Sequence, residues 1–500
     1  MKNIGQKSLL VIEKIGNKLP EPLTIFLLLI GLLFLSSTAF QLFGVTVSHP
    51  STMEETAIKG LLSREGIEYI ATSLVSNFVQ FTPLGIVITM MLGIGLAERV
   101  GLLETFIKKM MLSAPVWMIP YMIFFAGNFA TVATDSAFLI VPPLAGIIYY
   151  SLKMNPLAGI ITGFAGVSSG YATGILITAN EPLLAGITNE AIAILGSDVT
   201  VSPISNYYFM VAGVIICTLI GGTITRKITE PRLGVYHGDQ SEEVKPVTKE
   251  ETAALRVTGI VAAIYLAILA VLIFIPNSPL RNEAGGLLPS PLLDGLVTFL
   301  LLFFFIIGLT YGMKMKRIRS MNDIGRYMGE SVSSMKNFIV LVFFIAQFTA
   351  FFQWTGIGLW LSVTGAETLT SLGFTGIGAI VCFIIFTSII NMVISSGSGL
   401  WAIFAPIFIP MFMQLGYHPG FIQMAYRIGD SSTSMISPLL PYMVVILEFL
   451  RRWDKKMALG TLISYTLPYS IAILIGLTLL FVVFYLIGIP IGPDVDIFLP

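Results

Sequence analysis

Cysteine, histidine and charged residues are all scarce in this sequence. Its 500 residues include two cysteines and three histidines, and only 11% of them are charged. Both cysteines, Cys217 and Cys382, fall within apolar runs, which argues against a disulfide framework or a cysteine-rich metal site. The histidines are widely scattered, so neither a histidine metal cluster nor a cofactor is predicted. The formal net charge of zero, with basic residues confined to short loops, gives no indication of nucleic-acid binding.

Apolar sequence, by contrast, is abundant. Hydrophobic residues make up 55% of the chain and the mean hydropathy is +0.88, so the chain is predicted to lie in a lipid bilayer. A helix needs about 20 apolar residues to cross the hydrocarbon core. Five runs are long and uncharged enough: 22–44, 207–225, 257–275, 295–313 and 457–490. The first exceeds a signal-peptide core and lacks a small-residue cleavage site, so it is interpreted as a retained span.

The distribution of lysine and arginine predicts how the chain crosses the membrane. Basic residues cluster in segments that the positive-inside rule places in the cytoplasm: the N-terminus, 99–109, 226–256, 314–336 and 451–456. Segments with few or no basic residues are predicted to be periplasmic: 45–67, 181–205 and 276–291. We therefore expect a multi-pass protein of the bacterial inner membrane with a cytoplasmic N-terminus. Residues 226–256 are predicted to form a cytoplasmic linker between two halves, 1–225 and 257–500.

The two halves contain an internal repeat. The motif Gly-Ile-Gly-Leu at 93–96 recurs at 356–359, and 356 − 93 gives an offset of 263 residues. The same offset pairs Glu104 with Glu367, Asn128 with Asn391, Pro143 with Pro406, Pro156 with Pro419, Gly166 with Gly429, and Ser168-Ser169 with Ser431-Ser432. Chance rarely aligns so many Gly, Pro and Asn residues without a gap, so the repeat indicates a duplicated unit.

The charges flanking each copy predict opposite orientations. The span before the first motif runs from the periplasmic segment to Arg99, whereas the span before the second starts at cytoplasmic Arg326 and Lys336. Inverted repeats of this kind are typical of secondary transporters, in which the substrate binds near the bilayer midplane between the repeats.

Each repeat has a polar interruption between two apolar arms. In the first half it spans 128–136 (Asn-Phe-Ala-Thr-Val-Ala-Thr-Asp-Ser), and in the second it spans 391–399 (Asn-Met-Val-Ile-Ser-Ser-Gly-Ser-Gly). This pattern predicts a re-entrant helical hairpin, because backbone groups freed at membrane depth must face protein or a water-filled cavity. The helix N-terminus after each turn carries a partial positive charge that suits an anionic group.

A second interruption in each repeat predicts a broken transmembrane helix, at 166–170 in repeat one and at 429–434 in repeat two. Unwound carbonyl groups and hydroxyls there offer oxygen ligands for Na⁺ or a path for protons, and Asp430 adds a charge. The candidate ion-coupling residues are Asp430, Ser431, Ser432, Asn128, Ser168 and Ser169, and the candidate Na⁺ ligands are Asn128, Ser168, Asn391 and Ser431. For Ser168 or Thr433 alone, a hydrogen bond to its own helix is an equal alternative.

Positions at which the repeats differ are candidates for recognising an asymmetric substrate. At the 263-residue offset Phe138 matches Trp401, Phe164 matches Arg427, Val167 matches Asp430, and Asp135 matches Ser398. Arg427 is expected either to pair with Asp430 or to bind a substrate carboxylate, which its guanidinium geometry suits. Trp401 is expected either to stack on an aromatic ligand or to pack in the core. For Glu181, surface exposure is slightly favoured over a role in the site.

Two stretches resemble the AbgT (p-aminobenzoyl-glutamate transporter) family: Ser395-Ser396-Gly397-Ser398-Gly399-Leu400-Trp401-Ala402 with Ala405-Pro406, and Arg427-Ile428-Gly429-Asp430-Ser431. The likeness extends over nearly the whole chain, including 134–136 and 184–188. It implies a homodimer in which each protomer has nine spans and two hairpins. It further implies transport of p-aminobenzoyl-glutamate or sulfonamide drugs. By motif, Asn391, Trp401, Arg427 and Asp430 would line the substrate cavity, with Asp135 and Glu181 as further candidates; the family pattern has Asp where this chain has Glu181.

In all, the sequence predicts an all-α polytopic membrane protein with two inverted repeats, each containing a hairpin and a broken helix. Its expected partners are the lipid bilayer, an aromatic carboxylate or sulfonamide, and a second copy of the chain. The same features also suit a dicarboxylate symporter or a sodium/proton antiporter. An intramembrane hydrolase is a distant alternative, because its nucleophile would need a paired base or a metal.

Overall fold

The computed structural model describes residues 22–48, 50, 54–237, 247–282, 285–286, 290–493 and 495–499. The strands in this part of the chain are β1 (Thr46–Ser48) and β2 (Glu55–Ala57), an antiparallel pair in one loop. Nine helical stretches of the described chain are long and apolar enough to cross a membrane: Pro22–Leu42, Arg64–Arg99, Val116–Ser151, Tyr207–Leu233, Lys249–Phe274, Leu296–Lys314, Lys336–Trp354, Gly397–Gln414 and Leu459–Ile487. The prediction of an all-α multi-pass membrane protein is therefore confirmed.

The helices described up to residue 237 belong to the first half of the chain. They are α1 (Pro22–Leu42), α2 (Arg64–Val79), α3 (Thr82–Arg99), α4 (Leu102–Leu112), α5 (Ile119–Ala130), α6 (Ala137–Ser151), α7 (Pro156–Ser169), α8 (Asn180–Ile192), α9 (Tyr207–Ile224) and α10 (Glu230–Leu233). Short 3₁₀ turns lie at Val116–Met118, Thr131–Ser136 and Ala193–Leu195, and a π-helical turn at Thr225–Thr229 joins α9 to α10.

The helices described from residue 247 onward belong to the second half. They are α11 (Lys249–Phe274), α12 (Pro291–Asp294), α13 (Leu296–Lys314), α14 (Met321–Ser334), α15 (Lys336–Trp354), α16 (Ile357–Ser371), α17 (Ile377–Asn391), α18 (Gly397–Gln414), α19 (Pro419–Thr433), α20 (Tyr442–Trp453) and α21 (Leu459–Ile487). A 3₁₀ turn at Ser434–Ile436 follows α19.

The duplicated unit is visible in the helix boundaries. Hairpin one, formed by α5 and α6, corresponds to hairpin two, formed by α17 and α18. The broken helix α7/α8 corresponds to α19/α20. Both broken helices start at a proline, and Pro156 and Pro419 are 263 residues apart. Proline is well tolerated at the first position of a helix because its missing N–H has no partner there.

The two copies have opposite orientations, as predicted. Between the hairpins the described chain has four helices long and apolar enough to cross a membrane, α9, α11, α13 and α15. The two arms of the broken helix α7/α8 count together as a fifth pass. An odd number of passes places the bases of the two hairpins on opposite sides of the membrane.

Each broken helix also packs against the opposite repeat. The arm α8 contacts α18 of hairpin two, and α20 contacts α6 and α7 of repeat one. The turns of the two hairpins and the breaks in the two broken helices therefore lie together in one region in the centre of the protein.

Glycines allow the close contacts within each repeat. A Cβ atom added at Gly127 of α5 would lie 2.7 Å from the backbone of Gly166, and one added at Gly429 would lie 2.7 Å from the carbonyl oxygen of Ile384. Small residues at helix crossings let backbones approach closely, which is the usual way that membrane helices associate.

The predicted linker, 226–256, contains helical residues at both of its ends. The turn Thr225–Thr229 and α10 extend the helix at one end, and α11 begins at Lys249 with a capping box between Thr248 and Glu251. Residues 234–248 join these helices, and 238–246 lie outside the described residues.

Candidate functional site

A cavity of about 510 Å³ lies between the ends of the two hairpins and the breaks in both interrupted helices. Each element contributes to its lining: Thr134 and Asp135 from hairpin one, Ser395, Ser396, Gly397 and Ser398 from hairpin two, Val167 and Ser168 from α7, and Asp430 from α19. Both re-entrant turns, which the sequence placed in separate halves, therefore meet around one space.

The turn of hairpin one brings two carboxylates close together. Thr134 has a positive φ of +47°, a strained conformation for a β-branched residue. Asp135 is exposed and lines the cavity, where its carboxylate lies next to the hydroxyl of Tyr442 at the start of α20. The Ser136 hydroxyl donates to Glu98 of α3 at 2.5 Å. Hairpin one is thus attached at its end to both α3 and α20.

The turn of hairpin two has no charged side chain. Ser396 caps α18 by accepting a hydrogen bond from the backbone N–H of Gly399 at 3.3 Å, and Ser395 donates to the carbonyl oxygen of Leu439 at 2.9 Å. A Cβ atom added at Gly397 would lie 2.7 Å from the Tyr171 ring, so glycine is required for this approach. The N-terminal residues Gly397 and Ser398 of α18 line the cavity, where the helix dipole favours negative charge.

Asp430 lies in the wall of the cavity and is 3% exposed. The Ser434 hydroxyl lies 3.0 Å from its Oδ1 atom, and the Tyr426 hydroxyl lies 3.1 Å from its Oδ2 atom. The amide of Asn391 donates to the backbone carbonyl of Asp430 at 2.9 Å. This carboxylate is therefore held by hydroxyl groups rather than by a cation.

Arg427 pairs with Glu181, which is not one of the partners considered from the sequence. The Nη2 atom of Arg427 lies 2.7 Å from Oε1 of Glu181, and the two side chains are only 1% and 3% exposed. The guanidinium also donates to the Tyr171 carbonyl oxygen through Nε and Nη2, at 2.8 and 2.5 Å. Glu181 is buried rather than at the surface, because α8 packs against α19 and carries its first turn into the protein.

Trp401 is fully buried. Its indole N–H donates to the Thr188 hydroxyl at 3.0 Å, and its ring packs on that of Tyr426 with a centroid separation of 4.6 Å. Trp401 therefore packs in the core, which is one of the two alternatives expected from the sequence. Among the predicted substrate-binding residues, Asp135 and Asp430 line the cavity, whereas Asn391, Trp401, Arg427 and Glu181 lie behind its wall.

The candidate ion ligands form two groups rather than one. Around the first break, Asn128 donates to Ser169 at 3.0 Å and accepts from Thr173. Around the second, Asn391 donates to Thr433 and Ser434 at 3.1 and 3.2 Å. Ser431 connects the breaks by donating to the Ser169 carbonyl at 2.6 Å, whereas the Ser432 hydroxyl donates to Ile428 of its own helix at 2.6 Å.

Two of these residues have buried oxygen atoms without a hydrogen-bond partner: Oδ1 of Asn391 and Oγ of Ser168. Ser168 therefore does not bond its own helix, whereas Thr433 does, through the Gly429 carbonyl at 2.8 Å. A buried oxygen without a partner costs free energy, so each is an available ligand for a hard cation or a water molecule.

Four residues in or behind the cavity wall were not selected from the sequence as site residues. Tyr171 and Tyr442 line the cavity, Tyr426 lies behind Asp430, and Glu98 lies behind hairpin one. Tyr442 follows Pro441 at the start of the second arm of a broken helix, which is the sequence signal that could have found it. For Glu98, near the end of a long apolar helix, the charge itself was the only signal.

Two inverted repeats whose hairpins and broken helices enclose one central cavity are an architecture typical of membrane transporters. The chain belongs to the AbgT family, since the profile of the AbgT putative transporter family matches residues 7–499. This confirms the resemblance that the sequence motifs indicated.

Relatives match the chain over nearly its whole length. It is 38% identical over 485 residues to the p-aminobenzoyl-glutamate transport protein of Escherichia coli K12, covering 97% of this chain and 96% of the relative. The solved structure of the Alcanivorax borkumensis YdaH transporter superposes with a TM-score of 0.90 at 37% identity, over 95% of this chain and 100% of the other. The solved structure of Neisseria gonorrhoeae MtrF, which is described as representing a class of antimetabolite efflux pumps, also superposes with a TM-score of 0.90. The sequence identity is 37%, and the match covers 97% of this chain and 99% of the other.

Proposed function

We propose that this protein is a secondary active transporter of p-aminobenzoyl-glutamate, related aromatic carboxylates or sulfonamide antimetabolites, driven by a gradient of H⁺ or Na⁺. The observation that supports this most directly is the cavity between the inverted hairpins, with the buried carboxylate of Asp430 in its wall. A site between inverted repeats can be opened to either side of the membrane by moving one repeat against the other.

The shape and lining of the cavity suit this class of substrate. Its volume of about 510 Å³ is in the usual range for small-molecule sites. The aromatic rings of Phe138, Tyr171 and Tyr442 lie in its wall, and the N-terminus of α18 offers backbone N–H groups to a carboxylate. p-Aminobenzoyl-glutamate has one aromatic ring and two carboxylates, and the p-aminobenzoyl-glutamate transport protein is a relative by sequence.

The coupling ion would act at the break in repeat two. A proton would bind the carboxylate of Asp430. A sodium ion at this break would use hard oxygen atoms, of which Oδ1 of Asn391 has no other partner in the structure. Oγ of Ser168, also without a partner, offers a ligand at the break in repeat one. In both cases Asp430 supplies the charge that couples ion binding to the state of the cavity, because it lies in the last turn before its helix ends at Thr433.

The assembly proposed for the cell is a homodimer in the bacterial inner membrane with its N-terminus in the cytoplasm. The basic residues in 99–109, 314–336 and 451–456 support that orientation, because cytoplasmic loops are enriched in Lys and Arg.

The test is uptake of radiolabelled p-aminobenzoyl-glutamate into proteoliposomes, with Na⁺ and proton gradients imposed separately. Accumulation above the equilibrium level under one gradient would establish coupled transport and identify the ion. Competition by a sulfonamide and by simple dicarboxylates would show which chemistry the cavity accepts. If neither gradient drives accumulation in vesicles of either orientation, the proposal is wrong for this substrate.

A further inference from the structure

The end of the cavity next to hairpin one differs in chemistry from the end next to hairpin two. Asp135, Phe138 and Tyr442 provide an exposed carboxylate and two stacked aromatic rings at the first end. The second end has the small polar residues of hairpin two, with the Tyr171 ring and the buried carboxylate of Asp430 beside Gly397. We propose that Asp135, Phe138 and Tyr442 form a subsite for the aminoaryl end of the substrate and so fix its orientation. This inference rests on the proposed function.

The two aromatic rings form a flat wall. The centroids of Phe138 and Tyr442 are 4.5 Å apart with an interplanar angle of 5°, so the rings are stacked although they come from different repeats. Both residues are half-buried and both line the cavity, which leaves part of each ring accessible to a ligand. Aromatic rings pack favourably in offset-stacked or edge-to-face arrangements, so this wall suits a further ring.

Asp135 provides a hydrogen-bond acceptor beside this wall. Its carboxylate lies next to the Tyr442 hydroxyl, and the hydroxyl of the neighbouring Ser136 donates a hydrogen bond to Glu98, which anchors this part of the turn. An arylamine has two N–H donors and is uncharged near neutral pH, because its nitrogen lone pair is delocalised into the ring. An ionised carboxylate only accepts hydrogen bonds, and its two oxygen atoms can accept several, so Asp135 can accept one from the amine.

The internal repeat shows that this end is specialised. At the 263-residue offset, the counterparts of Asp135 and Phe138 are Ser398 and Trp401, and the counterpart of Tyr442 is Ala179. Trp401 is fully buried and Ala179 is 4% exposed, so neither repeats the aromatic wall at the other end. An asymmetric ligand therefore meets two different ends.

Electrostatic repulsion favours the same orientation, because Asp135 is exposed to the cavity whereas Asp430, near the other end, is buried and hydrogen-bonded by Ser434 and Tyr426. A ligand bound the other way round would place its carboxylates against Asp135, with Glu98 behind it, and like charges in close contact are unfavourable. Attraction of the amine and repulsion of carboxylates act together, which is how a site selects one binding mode.

The test measures binding of three ligands to the purified full-length protein in nanodiscs. The ligands are p-aminobenzoyl-glutamate, benzoyl-glutamate, which lacks the amine, and p-carboxybenzoyl-glutamate, which carries a carboxylate in its place. For the wild type we expect the amine to improve affinity about tenfold over the unsubstituted ring, as for a hydrogen bond to a charged group, and the carboxylate to weaken it.

In Asp135→Ala the preference for the amine should fall to within about twofold, while p-carboxybenzoyl-glutamate should bind more tightly than it does to the wild type. That gain cannot arise from damage to the fold. Tyr442→Phe keeps the ring but removes the hydroxyl next to the Asp135 carboxylate, so the preference for the amine should fall partly. Phe138→Leu should weaken all three ligands alike. Asp198→Ala, at an exposed position away from the cavity, is the matched control and should change nothing.

The outcomes separate the two proposals. If the wild type binds none of the ligands, the proposed substrate class is wrong, and the proposed subsite is wrong as well. If the wild type binds them without preference, or if Asp135→Ala keeps the preference, the subsite is wrong and the proposed function stands. Loss of ion-driven uptake in Asp135→Ala with unchanged ligand preference would likewise overturn the subsite, by assigning Asp135 to coupling.

Discussion

Replacing Glu181 by glutamine keeps the shape of the side chain but leaves Arg427 as an unpaired buried cation. The Nη2 and Oε1 atoms are 2.7 Å apart and the side chains are 1% and 3% exposed. At this distance and an effective permittivity of about 20, the Coulomb attraction is about 6 kcal/mol, and desolvation of the two charges opposes it. Breaking a buried pair by removing one partner typically costs about 3–5 kcal/mol.

We expect Glu181→Gln to lie near the lower end of that range, at about 3 kcal/mol, because the guanidinium keeps its two hydrogen bonds to the Tyr171 carbonyl oxygen. Arg427→Gln should cost a similar amount, and the double variant should cost less than the sum of the two. The free energy of unfolding would be measured by denaturant titration of the purified protein in detergent micelles.

The exposed pair Arg451–Glu448 is the natural control. Its atoms are 3.2 Å apart, but the side chains are 44% and 63% exposed, so Glu448→Gln should cost less than about 1 kcal/mol. The reasoning is refuted if Glu181→Gln also costs less than about 1 kcal/mol and the coupling energy of the double-mutant cycle is below about 0.5 kcal/mol. Arg427 would then be free to bind a substrate carboxylate.

Three further predictions follow from other parts of the structure. Asp430→Asn should abolish gradient-driven uptake in proteoliposomes while the protein stays folded and keeps its elution volume on size exclusion; unchanged uptake would exclude the coupling role. Gly127→Ala should lower the free energy of unfolding, measured by denaturant titration, by about 1–3 kcal/mol, because the added Cβ would lie 2.7 Å from the backbone of Gly166. Gly259→Ala is the control: its Cβ would have nothing within 4 Å, so the change should be neutral or slightly stabilising. Asp323 lies outside the membrane spans, and a hydrogen bond from the backbone N–H of Arg319 is the main cause of its lowered pKa. The ionised carboxylate therefore stabilises the start of α14. Protection of this turn from hydrogen exchange should be complete above the usual carboxyl pKa and should be lost as the pH falls through the lowered pKa. Asp323→Asn should remove that pH dependence, and an unchanged profile in the variant would contradict it.

The spans, the repeat and its inversion could be predicted from the sequence because their signals are local. A run such as 22–44 needs only its own hydropathy, and the offset of 263 residues needs only the order of Gly, Pro and Asn. The interruptions at Asp135 and Asp430 were found in the same way, because charges within apolar segments stand out without any knowledge of their surroundings. Both residues line the cavity.

The partners of the buried side chains depend on how distant helices pack, and no local signal encodes that. Arg427 is three residues from Asp430 but pairs with Glu181, 246 residues away, because α8 crosses α19 at that point. Trp401 follows the turn of hairpin two, but its indole N–H donates a hydrogen bond to Thr188 of α8 and its side chain does not line the cavity. The aromatic wall joins Phe138 of one repeat to Tyr442 of the other, so it exists only after the repeats have interlocked. Hydropathy and spacing place each residue along its own helix, but packing between helices fixes which side chains come together.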